Sequence, residues 1–366
     1  MSAVSRAGDL GAGPRAVGRR EHRTGTEVSM TAVVVGVDGG GTGTRCVVAT
    51  ESGEVAGRGR AGGSNVLSAA DPGESLRAAL RDALEGVAGA RVAGGVFALA
   101  GAESARERAE SLVSGVWRAC GLDGRVEIVP DPLAAFAGAT AEPSGTVLIA
   151  GTGAMAARIS GRRLTARVDG HGWLLGDEGS GVWIGRRAVQ AVLALLDGRA
   201  APTALLDAVA ARVAAWETGE AGVPPGEEAA TAATLTPWRV VRAVHGGISA
   251  AGPAWLGRLA PAVEAAAGDG DAAALEIIRE AAGRLVSTAL ALGPGPEPGA
   301  PGGSGPLVFA GSLLTGPTAL AAMVRTGLGD AAGTVVAARD SAAGAAALAL
   351  HAVLPDALAA HRKLIV

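Results

Sequence analysis

The sequence predicts an α/β protein of two similar domains, and three observations lead to this prediction. An apolar run that ends in Asp38 passes through a glycine- and threonine-rich turn into a second β-branched run, residues 47–50. The same order recurs later, where another apolar strand leads into Gly151, Thr152 and Gly153 and then into a returning strand. Strands and helices alternate after the first turn, as in α/β domains. The duplication is too long in period for a solenoid, and 366 residues suffice for two domains.

Other elements follow from hydrophobic periodicity and from cap residues. Asp71, Pro72 and Glu74 have the spacing of an N-cap, a first-turn proline and a capping-box acid, so a helix is predicted to begin there. Further helices are predicted over 104–120, from 131, from the loop 171–184 toward 196, and over 271–290 and 341–350. Strands are predicted at 33–37, 47–50, 54–60, 96–100, 126–129, 146–150, 156–160, 306–310 and 334–337, and loops at 217–237 and 294–306.

The first turn has the composition of an anion site. Glycine lets the backbone approach a ligand closely, and successive N–H groups in such a turn form a concave site for phosphate, to which Thr42 and Thr44 add hydroxyl donors. A glycine-rich hairpin without a ligand is the alternative. Two facing domains would place both glycine turns at one cleft, where a nucleotide is held from two sides.

Composition excludes several classes of function. A net charge of -3 and 2% aromatic residues argue against a nucleic-acid partner. Cys46 and Cys120 are too few for a disulfide framework, a four-cysteine zinc site or an iron–sulfur cluster held by one chain, so we expect a reduced, cytoplasmic protein. No apolar run reaches the roughly 18 residues needed to span a bilayer, and we expect no membrane partner. Lys363 is the one lysine, which excludes a Walker A loop and the protein-kinase lysine.

Residues 1–29 are polar and rich in glycine and arginine, without the apolar core of a secretory signal. We expect them to be a disordered N-terminal extension. Met30 directly precedes the first strand, so the natural chain is expected to start there.

Six short segments together resemble the sugar kinase, heat-shock chaperone and actin superfamily, specifically its BadF-type branch with N-acetylglucosamine kinase and bacterial glucosamine kinase. They are VDGGGTGTR, GGSNVL, ALAGAE, IAGTGAM, GDEGSG and, more weakly, FAGSL. The resemblance runs from Ala32 to about His351. It implies two duplicated ribonuclease-H-like domains of the actin-like ATPase type, closing on ATP and an amino sugar. The implied division is 30–145 on the sugar side, joined by a C-terminal helix at about 340–360, and 146–339 on the ATP side.

The resemblance implies that nucleotide is held by residues of three turns. These are Gly40, Gly41, Thr42 and Thr44 in the first turn, Gly151, Thr152 and Gly153 in the second, and Gly311 and Ser312 on the adenosine side. Asp38 would orient magnesium through water, since magnesium keeps much of its hydration shell. Ala154 stands where the family usually has serine or asparagine, so one hydroxyl contact is in doubt.

For the acceptor sugar, the resemblance implies a catalytic base and a set of contacts. Asp131 matches the aspartate that accepts the proton of the 6-hydroxyl. The implied sugar contacts are Asn65, Gly101, Ala102, Glu103, Asp131, Gly170, His171, Gly172 and Asp177. Asp131 followed by Pro132 is equally the pair expected at an ordinary helix N-cap. Pro132 itself departs from the small residue usual in the family.

The resemblance therefore implies a cytoplasmic, ATP- and magnesium-dependent kinase for the 6-hydroxyl of N-acetylglucosamine or glucosamine. The choice between these sugars and the oligomeric state stay open, although dimers are common among relatives. A BadF-type activator ATPase and a non-catalytic sugar sensor are the alternatives. The first needs interface cysteines that the positions of Cys46 and Cys120 do not supply.

Overall fold

The computed structural model describes residues 32–67, 69–87, 89–221, 228–293 and 305–366, and residues 31–366 form one compact unit. The described residues form two five-stranded sheets. The first contains β1 (Ala32–Gly39), β2 (Thr44–Thr50), β3 (Val55–Ala61), β4 (Arg91–Leu99) and β5 (Arg125–Val129). The second contains β6 (Gly145–Ala150), β7 (Ala154–Ser160), β8 (Arg163–Asp169), β9 (Leu307–Ala310) and β10 (Val335–Ala337).

The two sheets have the same topology. Their orders are β3-β2-β1-β4-β5 and β8-β7-β6-β9-β10. In each, the second strand is antiparallel to both neighbours, and the remaining pairs are parallel. The predicted fold class, α/β with a duplicated ribonuclease-H-like unit, is confirmed by this shared order.

Thirteen helices accompany the strands in the described residues. In the first half these are α1 (Pro72–Glu85), α2 (Arg106–Ala119) and α3 (Asp131–Ala137). In the second half they are α4 (Gly181–Leu196), α5 (Leu205–Trp216), α6 (Pro237–Ala251), α7 (Ala254–Gly257), α8 (Ala260–Gly268), α9 (Ala272–Ala291), α10 (Ser312–Thr315), α11 (Ala319–Leu328), α12 (Ser341–Val353) and α13 (Leu358–Leu364). The predicted cap of α1 is confirmed, because the Asp71 carboxylate accepts a hydrogen bond from the Glu74 amide at 2.9 Å.

Helices α3 and α12 lie in a core that both sheets share. This core joins Val34 and Val96 of the first sheet to Val147 and Val308 of the second. Small residues allow close packing: a Cβ on Gly36 of β1 would lie 2.0 Å from the amide nitrogen of Ala346 in α12. The predicted small-residue helix near the C-terminus therefore packs directly on β1.

One strand was missed and one predicted loop needs correction. Strand β8 was not predicted, although residues 163–168 alternate between exposed and less exposed positions. The predicted loop 217–237 is wrong at its start, because residues 217–221 continue α5 as a π-helical turn. That turn is held by Glu217, whose buried carboxylate pairs with Arg239 at 2.6 Å.

The proposed domain boundaries stay a prediction. The extension 1–29 and most of the predicted loop 294–306 lie outside the described residues. Within the described part of the chain, no helix has the length and apolar content that crossing a bilayer requires.

Candidate active site

The first glycine turn connects β1 to β2 and leaves backbone donors open. The Gly40 amide donates to the Gly43 carbonyl at 3.0 Å, and the Gly40 carbonyl accepts from the amides of Ser64 and Asn65 at 3.0 and 3.1 Å. Gly41 and Thr42 are exposed. The amides of Gly41, Thr42 and Gly43 donate to no acceptor among the described residues. This arrangement fits the predicted anion site.

Thr44 has a different environment from the rest of the turn. Its side chain is 1% exposed, and its hydroxyl donates to the Gly62 carbonyl at 2.7 Å and shares a 2.7 Å hydrogen bond with the Ser64 hydroxyl. These bonds join the turn to the 62–65 loop. A contact between this hydroxyl and a phosphate would have to break one of them, so the predicted phosphate contact of Thr44 stays a prediction.

Asn65 and the loop after β4 adjoin, as the sequence predicts. The Asn65 Oδ1 atom accepts a hydrogen bond from the Leu67 amide at 2.9 Å. Gly101 has a φ of 80°, and a Cβ on it would lie 3.1 Å from the same Oδ1 atom. Ala102 is buried and its amide donates to the Leu99 carbonyl at 3.2 Å, so its methyl group belongs to the core.

Asp131 is the first residue of α3. The N-cap position belongs to Pro130, so the alternative in which Asp131 serves as the cap is wrong. Burial raises the pKa of Asp131 to about 6; a hydrogen bond from its own amide and the charge of Arg167 oppose the rise, while Glu103 and Asp177 reinforce it. A carboxylate with this pKa is ionised at neutral pH and still a competent proton acceptor.

Asp38 lies at the end of β1 and is electrostatically coupled to Asp131. The pKa of Asp38 is raised to about 6, chiefly by burial and also by the charges of Asp131 and Asp340, while Arg45 at 4.0 Å opposes the rise. Two carboxylates therefore repel each other at the edge where β1 and α3 meet.

Magnesium fits this donor set. Among the described residues no three histidine, cysteine or carboxylate side chains form a metal cage. Magnesium needs none, because it is commonly bound through one or two carboxylates, waters and substrate phosphates. A cation near Asp38 would also relieve the repulsion that raises the pKa of Asp38.

The second glycine turn mirrors the first. The Gly151 amide donates to the Gly153 carbonyl at 2.9 Å, and the Gly151 carbonyl accepts from the Gly181 amide at the start of α4 at 2.7 Å. Gly311, with a φ of 83°, lies against this turn, because a Cβ on Gly311 would be 2.2 Å from the Ala150 carbonyl oxygen. Ser312 begins α10 directly after it.

Asp177 connects the second turn to the loop after β8. A Cβ on Gly153 would lie 3.0 Å from Asp177 Oδ2. Burial raises the pKa of Asp177, and the Asp169 charge adds to this, while hydrogen bonds from the amides of Ala154 and Gly172 and the charge of His171 oppose the rise. Ala154 therefore keeps a backbone contact at the site despite lacking a hydroxyl.

Asp169, at the end of β8, was missed by the sequence analysis. Its carboxylate is buried and accepts hydrogen bonds from the amides of Asp177 and Glu178, both at 2.8 Å. The backbone of Asp177 is strained, with a φ of 54°, and these hydrogen bonds hold it in that conformation. The sequence signal that could have revealed Asp169 is the alternation of polar and apolar residues along β8, which is followed by Gly170. Glu178 pairs with Arg284 of α9 at 3.1 Å, which gives it a structural partner.

An ion pair joins the two halves of the chain beside Asp131. Glu103 Oε2, in the loop after β4, lies 2.7 Å from Arg167 Nη1 on β8. Both side chains are partly exposed, at 45% and 38%. The carboxylate predicted to contact sugar is thus already paired, and its partner Arg167, whose charge acts on Asp131, was not predicted because β8 was not predicted.

The structure therefore brings together carboxylates from both halves of the chain. Asp131 is influenced by Glu103 of its own half and by Asp177 of the other, and it influences Asp38 in turn. His171 and Gly172 are exposed in the loop that carries Asp177, and Gly170 lies against Met155.

Comparison with known proteins is consistent with this geometry. A 174-residue segment is 29% identical to N-acetylmuramic acid/N-acetylglucosamine kinase of Clostridium acetobutylicum, over 47% of this chain and 57% of that protein. A 190-residue segment is 29% identical to glucosamine kinase of Vibrio cholerae, over 48% of this chain and 59% of that protein. The matches thus span less than two thirds of either relative.

A solved structure covers more of the chain. A protein of Chromobacterium violaceum provisionally named N-acetylglucosamine kinase superposes with a TM-score of 0.64 at 25% identity, over 87% of this chain and 98% of its own. The model of the BadF/BadG/BcrA/BcrD ATPase family matches residues 35–349. The chain belongs to the BadF/BadG/BcrA/BcrD ATPase family.

Proposed function

We propose that this protein is an ATP-dependent, magnesium-requiring kinase that phosphorylates the 6-hydroxyl of N-acetylglucosamine or glucosamine. The observation that carries the proposal is the position of Asp131 between two other carboxylates from separate segments: its charge acts on Asp38, and the charge of Asp177 acts on Asp131. Family membership supports ATP as the phosphate donor. Two relatives named as amino-sugar kinases support an amino sugar as the acceptor.

The glycine turns would hold the nucleotide. The open amides of Gly41 and Thr42 would bind the β- and γ-phosphates, together with Gly40. The mirrored turn, through Thr152 and its neighbours Gly151 and Gly153, would approach the phosphates from the other half. Gly311 and Ser312 would lie on the adenosine side. Asp38 would hold magnesium through water, and the ion when bound would neutralise phosphate charge.

Asp131 would act as the base. The 6-hydroxyl oxygen attacks the γ-phosphorus, the bond from that phosphorus to the bridging oxygen of ADP breaks, and the hydroxyl proton passes to the Asp131 carboxylate. A pKa of about 6 suits this role, because the carboxylate is ionised at neutral pH and holds a proton more strongly than an ordinary aspartate.

The remaining predicted residues would position the sugar. Asn65 and Gly101, which adjoin in the structure, would contact ring hydroxyls from the first half. Asp177 would contact the sugar from the second half, held in place by Asp169. The other proposed contacts are Ala102, Glu103, Gly170, His171 and Gly172. Closure around the sugar would exclude water and limit ATP hydrolysis.

A coupled assay of ADP release with glucosamine, N-acetylglucosamine, N-acetylmannosamine and glucose tests this function. We expect saturable ADP release that depends on an amino sugar, and a sugar 6-phosphate in equal amount by phosphorus NMR. Asp131→Asn should lower kcat by roughly 10²- to 10⁴-fold. Near-normal turnover by folded Asp131→Asn would contradict its role as base.

Two other outcomes would favour the alternatives. A brown, oxygen-sensitive protein whose ATP hydrolysis ignores sugars would indicate an activator ATPase. Sugar binding without any ATP consumption would indicate a sensor.

A further inference from the structure

A row of charged side chains crosses the first sheet directly beside the 40–43 turn. Asp38 of β1 is paired in register with Arg45 of β2, and Arg45 is paired with Arg60 of β3. Residues directly opposite in an antiparallel ladder project from the same face, with Cβ atoms about 4.5–5.5 Å apart. Two arginines therefore stand side by side next to a carboxylate.

The packing of β3 identifies the face on which this row lies. A Cβ on Gly57 or Gly59 would lie 2.0 or 1.9 Å from carbonyl oxygens of α1, so these two residues face α1. Successive residues of a strand alternate, so Arg58 and Arg60 project from the other face. Arg58 does so, because its guanidinium bonds the Asp340 carboxylate at the start of α12 at 2.5 Å.

Arg45 and Arg60 are poorly neutralised. Arg45 is 63% exposed and its nearest carboxylate oxygen, on Asp38, is 4.0 Å away, too far for a hydrogen bond. The exposed Arg60 side chain has no ion pair or hydrogen bond within the described ranges. Like charges directly opposite each other in a ladder are destabilising, so folding does not account for this pair.

No lysine is available to this turn. Lys363 lies 2.7 Å from Glu54, which precedes β3 at the opposite end of the sheet from residues 40–43. The glycine turn thus offers backbone amides for phosphate, and the nearest cations on the same sheet face are guanidinium groups. A guanidinium binds phosphate through two parallel N–H groups, which gives strong charge-assisted bonds.

We propose that Arg45 and Arg60 form a guanidinium pair that binds the terminal phosphates of a nucleoside triphosphate seated in the 40–43 turn. The proposal rests on the proposed function in placing a triphosphate there, and it adds the residues that supply the positive charge. When no nucleotide is bound, Asp38 partly neutralises Arg45. When a triphosphate binds, both guanidinium groups gain anionic partners.

Calorimetric binding to the full chain tests the proposal. The variants are Arg45→Gln, Arg60→Gln and the double variant, titrated with a non-hydrolysable ATP analogue and with AMP, both with magnesium. Arg81→Gln is the matched control, because Arg81 is exposed on α1, on the opposite side of the sheet. We expect each single variant to raise the Kd of the ATP analogue by about tenfold or more, and AMP binding to change less than about twofold.

The control should bind the analogue like the wild type, and Arg60→Lys should fall between wild type and Arg60→Gln because it keeps charge but loses the bidentate fork. Arg60→Gln should unfold at the same temperature as the wild type or higher, since one of two like charges is removed, whereas Arg45→Gln also loses the attraction between Arg45 and Asp38. Unchanged analogue binding, an equal loss for AMP, or no nucleotide binding by the wild type would overturn the proposal. Binding of the analogue that weakens as expected, in a protein that phosphorylates no amino sugar, would support the arginine pair and refute the kinase function.

Discussion

At the scale of single residues, the proposed chemistry depends on two half-buried carboxylates, Asp38 and Asp131, whose charges interact. Burial raises the pKa of both Asp131 and Asp38 to about 6. The rise is opposed at Asp131 by a hydrogen bond from its own amide and by the charge of Arg167, and at Asp38 by the charge of Arg45. The same environment that makes Asp131 a stronger base makes its ionised form costly to the folded protein.

The pH dependence of kcat/KM should show this shift. We expect activity to fall as the pH drops through about 6, because the base must be ionised to accept the hydroxyl proton. An ordinary aspartate would give a fall near pH 4. A profile measured in buffers of constant ionic strength that stays flat down to about pH 4.5 would contradict the assignment of Asp131.

Asp131→Asn should also change stability in a pH-dependent way. The folded pKa of Asp131, about 6, lies above its ordinary value of 3.8, so the folded state holds the proton more tightly than the unfolded chain. The stability that Asp131 contributes is fully present at pH values below its ordinary pKa and is lost as the pH rises through its folded pKa. The variant should therefore be more stable than wild type at about pH 8, by about 1–3 kcal/mol, and the difference should shrink toward zero near about pH 4.

Urea unfolding of both proteins across this pH range measures the effect. The Asp131 contribution must be separated from that of Asp38, and Asp38→Asn serves as the parallel variant. A stability difference independent of pH would mean that the Asp131 carboxylate is solvated in the folded protein.

The sequence predicted part of this site at residue level and could not predict the rest. Asp38, Asp131 and Asp177 were predicted from motifs, and in the structure Asp131 interacts electrostatically with each of the other two. The Thr44 hydroxyl joins the first turn to the 62–65 loop through a hydrogen bond with the Ser64 hydroxyl. Ser64 is twenty residues away in sequence, so this bond could not be derived from the local pattern. The role of Asp169 depends on a loop that folds back onto its strand.

At the scale of elements, close packing of α12 on β1 sets the distance between that helix and the first sheet. A Cβ at Gly36 would meet backbone atoms of Ala346 and Ala342 at 2.0 and 2.3 Å, and one at Gly344 would meet the Ala134 carbonyl oxygen at 2.0 Å. Backbone atoms cannot rotate away as a side chain can. Glycine at these positions is therefore a packing requirement.

Gly36→Ala should destabilise the protein by about 3 kcal/mol or more, because β1 and α12 would have to move apart. Gly115→Ala is the control: Gly115 is in α2 with nothing within 4 Å of a Cβ, and the change should stabilise by about 0.5–1 kcal/mol. The free energies of unfolding of both variants, measured by chemical denaturation, test these two predictions. A Gly36→Ala protein as stable as wild type would show that α12 does not press on β1 in solution.

Elements were predicted well where local signals are strong. The cap residues before α1 and the glycine turns were found from sequence because their chemistry is local. Strand β8 was missed although its residues 163–168 alternate polar and apolar side chains, because they lack the consecutive β-branched residues of the predicted strands. The π-helical turn at 217–221 depends on the buried pair of Glu217 and Arg239, which are far apart in sequence.

At the scale of the whole molecule, two copies of one sheet topology face a shared core, and the Glu103–Arg167 pair joins the halves beside the candidate base. Both side chains are more than a third exposed. Solvent screens such a pair, so its contribution to stability is expected to be small.

A double-mutant cycle with Glu103→Gln and Arg167→Gln should give a coupling energy of about 0.2–1 kcal/mol at low salt. The coupling should fall toward zero in about 1 M sodium chloride, where the Debye length is about 3 Å. Unfolding free energies of the four proteins provide the cycle. A coupling above about 2 kcal/mol that resists salt would mean that the pair is desolvated in solution.

In the proposed function, the two glycine turns, one from each half of the chain, hold a single triphosphate. Amide hydrogen exchange with and without a non-hydrolysable ATP analogue, magnesium and glucosamine tests it most directly, because the amides of Gly41, Thr42 and Gly43 have no acceptor within the described part of the chain. The nucleotide should slow amide exchange in both 40–43 and 151–153. Protection of one turn alone, or of neither while the nucleotide is bound, would contradict it.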